Sequence, residues 1–101
     1  MIYALAVPEF VEDVKDVRVL QWNADIGRQI MPGELIVELE TYKALVEVRA
    51  GQAGVLRRIL SAEGNWMSVG QPLALMSDTD EEPLPDTAEG LTRLDVKFEV
   101  S

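Results

Sequence analysis

Residues 34–48 of this chain read ELIVELETYKALVEV. Apolar and acidic residues alternate on both sides of a break at Thr41, Tyr42 and Lys43. Alternation with a period of two places apolar side chains on one face of a strand and polar side chains on the other. The stretch therefore predicts two antiparallel strands joined by a tight turn that carries Lys43. Each strand would have one face in the core and one face exposed to solvent.

Similar short apolar runs occur on both sides of this stretch, and glycine, proline or polar residues separate them. They lie at 2–7, 17–22, 55–60 and 73–76. A helix at 55–61 is also possible, because Val55, Leu56, Ile59 and Leu60 fit one helical face, but the short length and flanking glycines favour a strand. Many short strands with glycine and proline turns predict an all-β sandwich or barrel.

An internal repeat supports this architecture. A shift of 37 residues places Gly27 on Gly64 and Gly33 on Gly70, and several apolar positions coincide in the same register. Each half reads strand, glycine turn, short strand, glycine turn, strand. Two such halves can pack as two sheets related by a pseudo-twofold axis, with Lys43 between the halves.

Composition removes several classes of function. The chain has 101 residues, no cysteine, no histidine and a net charge of −9. Without these residues it cannot form thiol nucleophiles, disulfides, His-based triads or zinc sites with Cys or His ligands. The negative charge argues against nucleic acid and against anionic membrane surfaces as partners. Carboxylate chemistry, a bound cofactor, or no chemistry by its own side chains remain.

The charge also suggests how the chain is divided. Residues 1–76 carry 10 acids and 7 bases, whereas 77–101 carry 8 acids and 2 bases. We predict a barrel domain at 1–77, an acidic linker at 78–90 and a C-terminal alternating strand at 91–101. No signal peptide or membrane-length apolar run is apparent, so the cytoplasm is the expected location.

The C-terminal segment has two possible partners. Leu94, Val96, Phe98 and Val100 alternate with polar residues, which is a strand pattern beyond the predicted two-half barrel. This strand can lie along an edge of its own sheet, or it can join the sheet of another molecule and form a homo-oligomer through 91–100.

Lys43 is the candidate functional residue. An exposed amine on a rigid hairpin tip is accessible to a modifying enzyme, although it can also be an ordinary solubilising turn residue. Its surroundings resemble the biotinyl/lipoyl-carrier family and, within it, the lipoyl domain of 2-oxoacid dehydrogenase complexes. That family presents its lysine in a Glu-Thr-Asp-Lys-Ala turn, and Glu40, Thr41, Lys43 and Ala44 match this motif.

The resemblance covers about residues 3–77. Further similar stretches are a strand ending in tryptophan at 17–22, an Ala-Gly-Val-Leu stretch at 53–56, a glycine turn at 63–64 and a Val-Gly-Gln-Pro-Leu-Ala stretch at 69–74. It implies a flattened β-barrel of two four-stranded sheets with the lysine at one end. The C-terminal segment would then add an extra strand.

The resemblance also implies a function. A lipoate-protein ligase would attach lipoate to Lys43, which would then act as a swinging arm for acyl and electron transfer. The partners would be a thiamine-dependent 2-oxoacid decarboxylase/dehydrogenase, an acyltransferase and dihydrolipoyl dehydrogenase. The domain itself would be a carrier and not an enzyme.

Seven residues are candidates for recognition by the modifying enzyme and the partners. Most belong to the turn, where Tyr42 replaces the aspartate that is usual in the family. The others belong to a loop that lies beside the lysine turn in that family. The set is Glu9, Phe10, Glu12, Glu40, Thr41, Tyr42 and Ala44.

Three alternatives stay open. A biotin carrier has the same fold, but its lysine is usually flanked by methionines, whereas Tyr42 and Ala44 flank Lys43 here. The chain could also be an unmodified protein-interaction module. A carboxylate enzyme using the acids of 9–13 or 78–82 is the weakest alternative, because such clusters are normally solvated loop faces.

Overall fold

Ten strands and no helix form in the parts of the chain that the computed structural model describes, residues 1–9 and 15–101. In these parts, therefore, no helix is long and apolar enough to cross a membrane. The strands are β1 (Ile2–Ala6), β2 (Asp16–Trp22), β3 (Gln29–Ile30), β4 (Leu35–Glu40), β5 (Leu45–Ala50), β6 (Gly54–Ile59), β7 (Trp66–Ser68), β8 (Pro72–Ser77), β9 (Thr92–Arg93) and β10 (Val96–Val100).

The strands form two five-stranded sheets. Their orders are β3-β6-β8-β1-β9 and β10-β5-β4-β2-β7. Neighbouring strands are antiparallel except for β1 and β9, which are parallel. The predicted all-β class is confirmed. Each sheet has one strand more than the four predicted, because β9 and β10 from the C-terminal segment each extend one sheet edge.

The predicted pseudo-twofold repeat is visible in the strand order. Exchanging β1–β4 with β5–β8 converts the order β3-β6-β8-β1 into β7-β2-β4-β5, which is the other sheet. The turns obey the same relation, because their glycines all have φ between 90° and 92°, where only glycine is unstrained. These glycines are Gly27, Gly33, Gly64 and Gly70.

Equivalent hydrogen bonds tie the two halves together. The amide of Gly27 donates to the carbonyl of Leu56, and the amide of Gly64 donates to the carbonyl of Val19, both at 2.7 Å. Each bond joins a turn of one half to a strand of the other half. The repeat is therefore a property of the backbone hydrogen bonding as well as of the glycine spacing.

The core lies between the two sheets and is built from the inward-facing apolar residues. A register shift between β4 and β5 lies between Leu35 and Val37, and it allows consecutive Ile36 and Val37 both to be buried. The following side chains are fully buried: Leu5, Val17, Val19, Ile36, Val37, Leu39, Val46, Val48, Leu56, Leu73 and Met76. This burial fixes the register of β4 and β5, since a slip of one residue would expose the apolar set.

The C-terminal segment crosses from one sheet to the other. Leu94 is buried in the core, and its amide donates to the carbonyl of Ala4 at 2.9 Å. The amide of Gly51 donates to the carbonyl of Asp95 at 2.8 Å. The predicted single strand is therefore interrupted near Leu94, where the chain changes sheets, and β10 lies along the edge of its own sheet.

The boundaries at 77 and 90 stay a prediction. Segment 78–90, all of which is described, contains turns and no strand. It nevertheless contacts the barrel, because Arg57 donates to the carbonyl of Thr79 at 3.2 Å and Arg58 to that of Pro85 at 3.1 Å. The segment is therefore held against the outside of β6.

Candidate functional site

The hairpin between β4 and β5 forms one end of the barrel. Glu40 pairs with Leu45 in the last rung of the ladder, and residues 41–44 connect the two strands. One rung further in, Leu39 pairs with Val46, and both side chains are fully buried. The core therefore holds both strands firmly up to the base of the turn.

Thr41 fixes the conformation of the turn. Its side chain is only 8% exposed, and its hydroxyl oxygen accepts hydrogen bonds from the amides of Lys43 at 3.1 Å and Ala44 at 3.0 Å. Its own amide donates to the carbonyl of Ala44 at 2.8 Å. Threonine side chains commonly stabilise turns by bonding backbone groups in this way. The backbone on both sides of Lys43 is thus fixed by the buried side chain of Thr41.

The turn displays Lys43 and Tyr42 to solvent. The side chain of Tyr42 is 75% exposed, and Lys43 is also exposed. The Nζ atom of Lys43 lies 5.1 Å from the centroid of the Tyr42 ring. This distance is within the range of a cation–π interaction, which is weak at an exposed site. The amine is therefore accessible, and its side-chain contact within residues 1–9 and 15–101 is with the neighbouring ring.

An ion pair supports the base of the hairpin. The Arg18 guanidinium donates to Glu40 at 2.8 Å across the β2–β4 pair. Glu40 is predictable from its place in the turn motif, whereas its partner Arg18 is not. The two residues are 22 positions apart in the sequence, and their pairing depends on the register between β2 and β4, which no local pattern encodes.

The end of the described chain lies beside the same hairpin. Leu45 donates its amide to the carbonyl of Ser101 at 3.0 Å and accepts a bond from the amide of Ser101 at 2.9 Å. The edge of β5 next to Lys43 is therefore paired. This neighbour was not predicted from sequence, because the alternating pattern of the segment does not specify which edge it joins.

The structure brings part of the predicted recognition set together. Glu40, Thr41, Tyr42 and Ala44 lie in or next to the turn that carries Lys43. The role of each in recognition stays a prediction.

The predicted loop can be placed only at its ends. Glu9 is exposed and follows β1, whereas Phe10 and Glu12 lie outside the described residues. Beyond them, Lys15 accepts a hydrogen bond from the amide of Val69 at 3.0 Å and leads into β2. Because Arg18 of β2 pairs with Glu40, the beginning of β2 lies at the lysine end of the barrel.

Two of the acids in 78–82 bind the N-terminus of the chain. Asp78 and Glu82 both accept hydrogen bonds from the N-terminal ammonium of Met1, that of Asp78 at 3.2 Å. The bond with Glu82 raises the pKa of the Met1 amine, and the same bond lowers the pKa of the Glu82 carboxyl. A carboxyl that an ammonium keeps ionised, as Glu82 is here, is a poor general acid. Within the described ranges, no group of three or more acidic residues could hold a metal ion.

These observations define a class of protein. It is a small two-sheet β domain that presents a lysine amine at the tip of a rigid hairpin, as cofactor-carrying domains do. Comparison with known proteins agrees with this class. The family model described as "Biotin-requiring enzyme", which covers biotin and lipoyl attachment domains, matches residues 4–76.

Relatives and a solved structure specify the family further. The chain is 38% identical over 87 residues to the dihydrolipoyllysine-residue succinyltransferase component of the 2-oxoglutarate dehydrogenase complex from Staphylococcus saprophyticus, covering 81% of this chain and 20% of that protein. It is 34% identical over 74 residues to the component of the same name from Bacillus subtilis, covering 73% of this chain and 18% of that protein. This chain thus spans about one fifth of the length of these curated relatives.

The solved structure is the lipoyl domain of the 2-oxoglutarate dehydrogenase complex from Azotobacter vinelandii. It superposes with a TM-score of 0.65 at 31% identity, covering 76% of this chain and 98% of that domain. The chain therefore belongs to the biotin and lipoyl attachment family and has the lipoyl-domain fold.

Proposed function

We propose that this chain is a lipoyl carrier domain that bears lipoate on Lys43 and serves a 2-oxoacid dehydrogenase-type complex. The observation that carries the proposal is the exposed Lys43 amine on a turn whose backbone is fixed by the buried Thr41 hydroxyl. The names of the relatives, which are acyltransferase components of such complexes, support the choice of complex.

The residues of the turn fit covalent lipoate. The amine of Lys43 can form an amide, and it is held by no salt bridge among the described residues. When attached, lipoate supplies the redox-active and acyl-carrying sulfurs that a chain without cysteine lacks. The chain itself performs no chemical step in this proposal.

The role of the chain in this proposal is to hold the attachment point of the lipoyl group in a defined position. Thr41 and the buried strands hold the backbone of the turn, so the attachment point stays at a fixed place on a compact body. A tethered arm meets the active sites of its partners at high effective concentration, without free diffusion of the carried group. The flexible Lys43 side chain can move between active sites, while the rigid turn keeps its point of attachment fixed.

The proposed partners follow from this role. They are a lipoate-protein ligase, a thiamine-dependent 2-oxoacid decarboxylase/dehydrogenase, an acyltransferase and dihydrolipoyl dehydrogenase. We also propose that the protein acts in the cytoplasm.

A biotin carrier is the second candidate, and the description of the matching family model favours it. The residues next to the lysine argue against it, since biotin carriers usually have methionine on both sides. Here the neighbours are Tyr42 and Ala44.

An in-vitro modification assay tests both candidates. The purified chain is incubated with ATP, lipoate and a lipoate-protein ligase, and in parallel with ATP, biotin and a biotin ligase. We expect intact-mass spectrometry to show one lipoyl group per chain and peptide mapping to place it on Lys43. Lys43→Arg should abolish the addition, whereas the control Lys97→Arg should not. Biotin addition alone, or no addition in either reaction, would contradict the proposal.

A further inference from the structure

One row of side chains crosses the outer face of the sheet that carries Lys43. Leu45 of β5 pairs with Glu40 of β4, Glu40 pairs with Arg18 of β2, and Arg18 pairs with Trp66 of β7. We call these four residues the outer row. Adjacent strands lie about 4.8 Å apart, so the row extends about 14 Å across the sheet.

The outer row faces away from the core. Its neighbours one position along each strand point inward, because side chains alternate between the two faces of a strand. These inward neighbours are Val46, Leu39, Val17, Val19 and Met67, which belong to the core cluster or pack against it. The four residues of the row therefore form part of the surface next to the lysine turn.

Large apolar side chains flank an ion pair in this row. Trp66 is 62% exposed and Leu45 is 43% exposed, and the Arg18–Glu40 pair lies between them. Tyr42, on the neighbouring turn, is 75% exposed. Tryptophan, tyrosine and arginine are the residue types enriched at the energetic centres of protein interfaces. Several large exposed apolar side chains on one sheet face are typical of a surface that another protein covers.

The distance of the outer row from Lys43 indicates which enzyme covers it. Leu45 is two residues after Lys43 and Glu40 three residues before it. An extended lysine side chain reaches only about 6 Å from its Cα atom. An enzyme that acylates Nζ must therefore bring its active site against the turn and touch the adjoining surface. After modification the arm reaches about twice as far, so later enzymes can meet its tip without covering the row.

We propose that the outer row is the docking surface for the ligase that attaches lipoate to Lys43. This inference rests on the proposed function and names the enzyme that first recognises the domain. In the reaction, ATP and the lipoate carboxylate give lipoyl-adenylate and pyrophosphate on the ligase. Lys43 Nζ attacks the carbonyl carbon, the new C–N bond replaces the C–O bond to AMP, and AMP leaves as the amine loses a proton. No electron is transferred to or from the chain.

Charge is consistent with this partner. An enzyme that binds ATP and an acyl-adenylate holds phosphate groups with cationic side chains, so we expect positive charge near its active site. The chain has a net charge of −9. Opposite charge speeds the encounter, and the apolar side chains of the row then determine the affinity of the docked complex.

Steady-state kinetics of lipoylation test the docking surface. The purified chain is the varied substrate of a lipoate-protein ligase with saturating ATP and lipoate. We expect Trp66→Ala to raise the KM for the chain about tenfold and to leave kcat within about twofold, because docking is weakened and the turn is unchanged. The matched control is Ile26→Ala. Ile26 is 61% exposed and lies in the turn after β2, at the opposite end of that strand from Arg18.

A binding measurement separates docking from chemistry. Isothermal titration of the ligase with the Lys43→Arg chain should give a measurable Kd, which Trp66→Ala should raise about as much as it raises KM. Circular dichroism confirms that each variant is folded, and Leu45→Ser provides a second disruption of the row. An unchanged KM and Kd for both Trp66→Ala and Leu45→Ser would overturn the assignment.

The remaining outcomes are also decisive. An equal effect of Ile26→Ala would overturn the assignment, since the effect would not be specific to the row. Normal lipoylation of Trp66→Ala, followed by slow acylation of the lipoylated variant by the thiamine-dependent enzyme, would assign the row to that enzyme instead. If the wild-type chain accepts no lipoate, the proposed function fails and this inference fails with it.

Discussion

At the residue scale, the hydroxyl of Thr41 is the most consequential atom next to Lys43. It accepts two backbone hydrogen bonds in a position that is 8% exposed, so water cannot readily replace it. The side chain that carries the proposed chemistry is exposed and loosely held, whereas the residue two positions before it is buried. Lys43 is thus the exposed residue of the turn, and Thr41 is the residue that makes the turn rigid.

Replacing Thr41 tests this division. Thr41→Val keeps the shape of the side chain and removes the acceptor, leaving the amides of Lys43 and Ala44 without their partner. We expect the free energy of unfolding to fall by about 1–2 kcal/mol in urea denaturation. Ligase kcat/KM should also fall, because the turn becomes mobile. Thr41→Ser, which keeps the hydroxyl, should stay close to wild type in both measurements.

Tyr42 gives a second prediction at this scale. Its ring lies 5.1 Å from Lys43 Nζ, so the ε-methylene protons of Lys43 should show an upfield ring-current shift in NMR spectra. Tyr42→Ala should remove that shift, and Tyr42→Phe should retain it. Stability should change by less than about 1 kcal/mol, as expected for an exposed cation–π contact. An unshifted Lys43 resonance in the wild type would show that the ring does not hold the amine in solution.

At the element scale, the C-terminal segment is built into both sheets. β9 extends the sheet of β1, β10 extends the sheet of β5, and Leu94 between them is buried in the core. The C-terminal segment lies outside the symmetric eight-stranded arrangement, yet it contributes to the stability of the barrel. Because Ser101 bonds Leu45, the segment also reaches the base of the lysine hairpin.

Gly51 tests how the segment is docked. A Cβ atom at this position would lie 2.6 Å from Asp95 Oδ2 and 2.9 Å from the Asp95 carbonyl oxygen. Gly51→Ala should displace the segment and reduce stability by about 1–3 kcal/mol. Hydrogen exchange should quicken at the amides of Leu45 and Ser101. Gln52→Ala, which removes one hydrogen bond to Asp95, should have a smaller effect. Unchanged exchange at Leu45 in Gly51→Ala would contradict this docking.

At the scale of the whole molecule, the pseudo-twofold axis relates the lysine hairpin to the chain's N-terminus. The amide of Thr41 bonds the carbonyl of Ala44 in one half, and the amide of Asp78 bonds the carbonyl of Met1 in the other. A continuous turn joins the first pair of strands. At the second position, the Met1 ammonium pairs with Asp78 and Glu82. Of these two related positions, the first carries a lysine on a turn and the second does not.

The N-terminal ion pairs predict a pH dependence of stability. Folding lowers the pKa of Glu82 from 4.5, so its contribution is present above that pH and is lost on acidification. Folding raises the pKa of the Met1 amine from 8.0, so its contribution is present below pH 8 and is lost as the pH rises through the folded-state value. Thermal melts across this range should show a small maximum near neutral pH that Glu82→Gln flattens. An identical pH profile for Glu82→Gln would contradict the pairing.

Features of the fold that have a local or periodic pattern could be predicted from the sequence. The alternation around Lys43 predicts the hairpin, and the spacing of Gly27 and Gly64 predicts the repeat. The Arg18–Glu40 pair, the exposure of Trp66 and the interruption near Leu94 depend on which distant strands become neighbours. Such pairings are set by packing of the whole barrel, so no short stretch of sequence contains them.

The most direct test of the central claim is the intact mass of the protein purified from its native host, followed by peptide mapping of Lys43. The account predicts one lipoyl group per chain, attached to Lys43 and absent from Lys15 and Lys97. A biotinyl group on Lys43 would assign the domain to the other branch of its family. An unmodified Lys43, in cells whose other lipoyl domains are lipoylated, would contradict the carrier role.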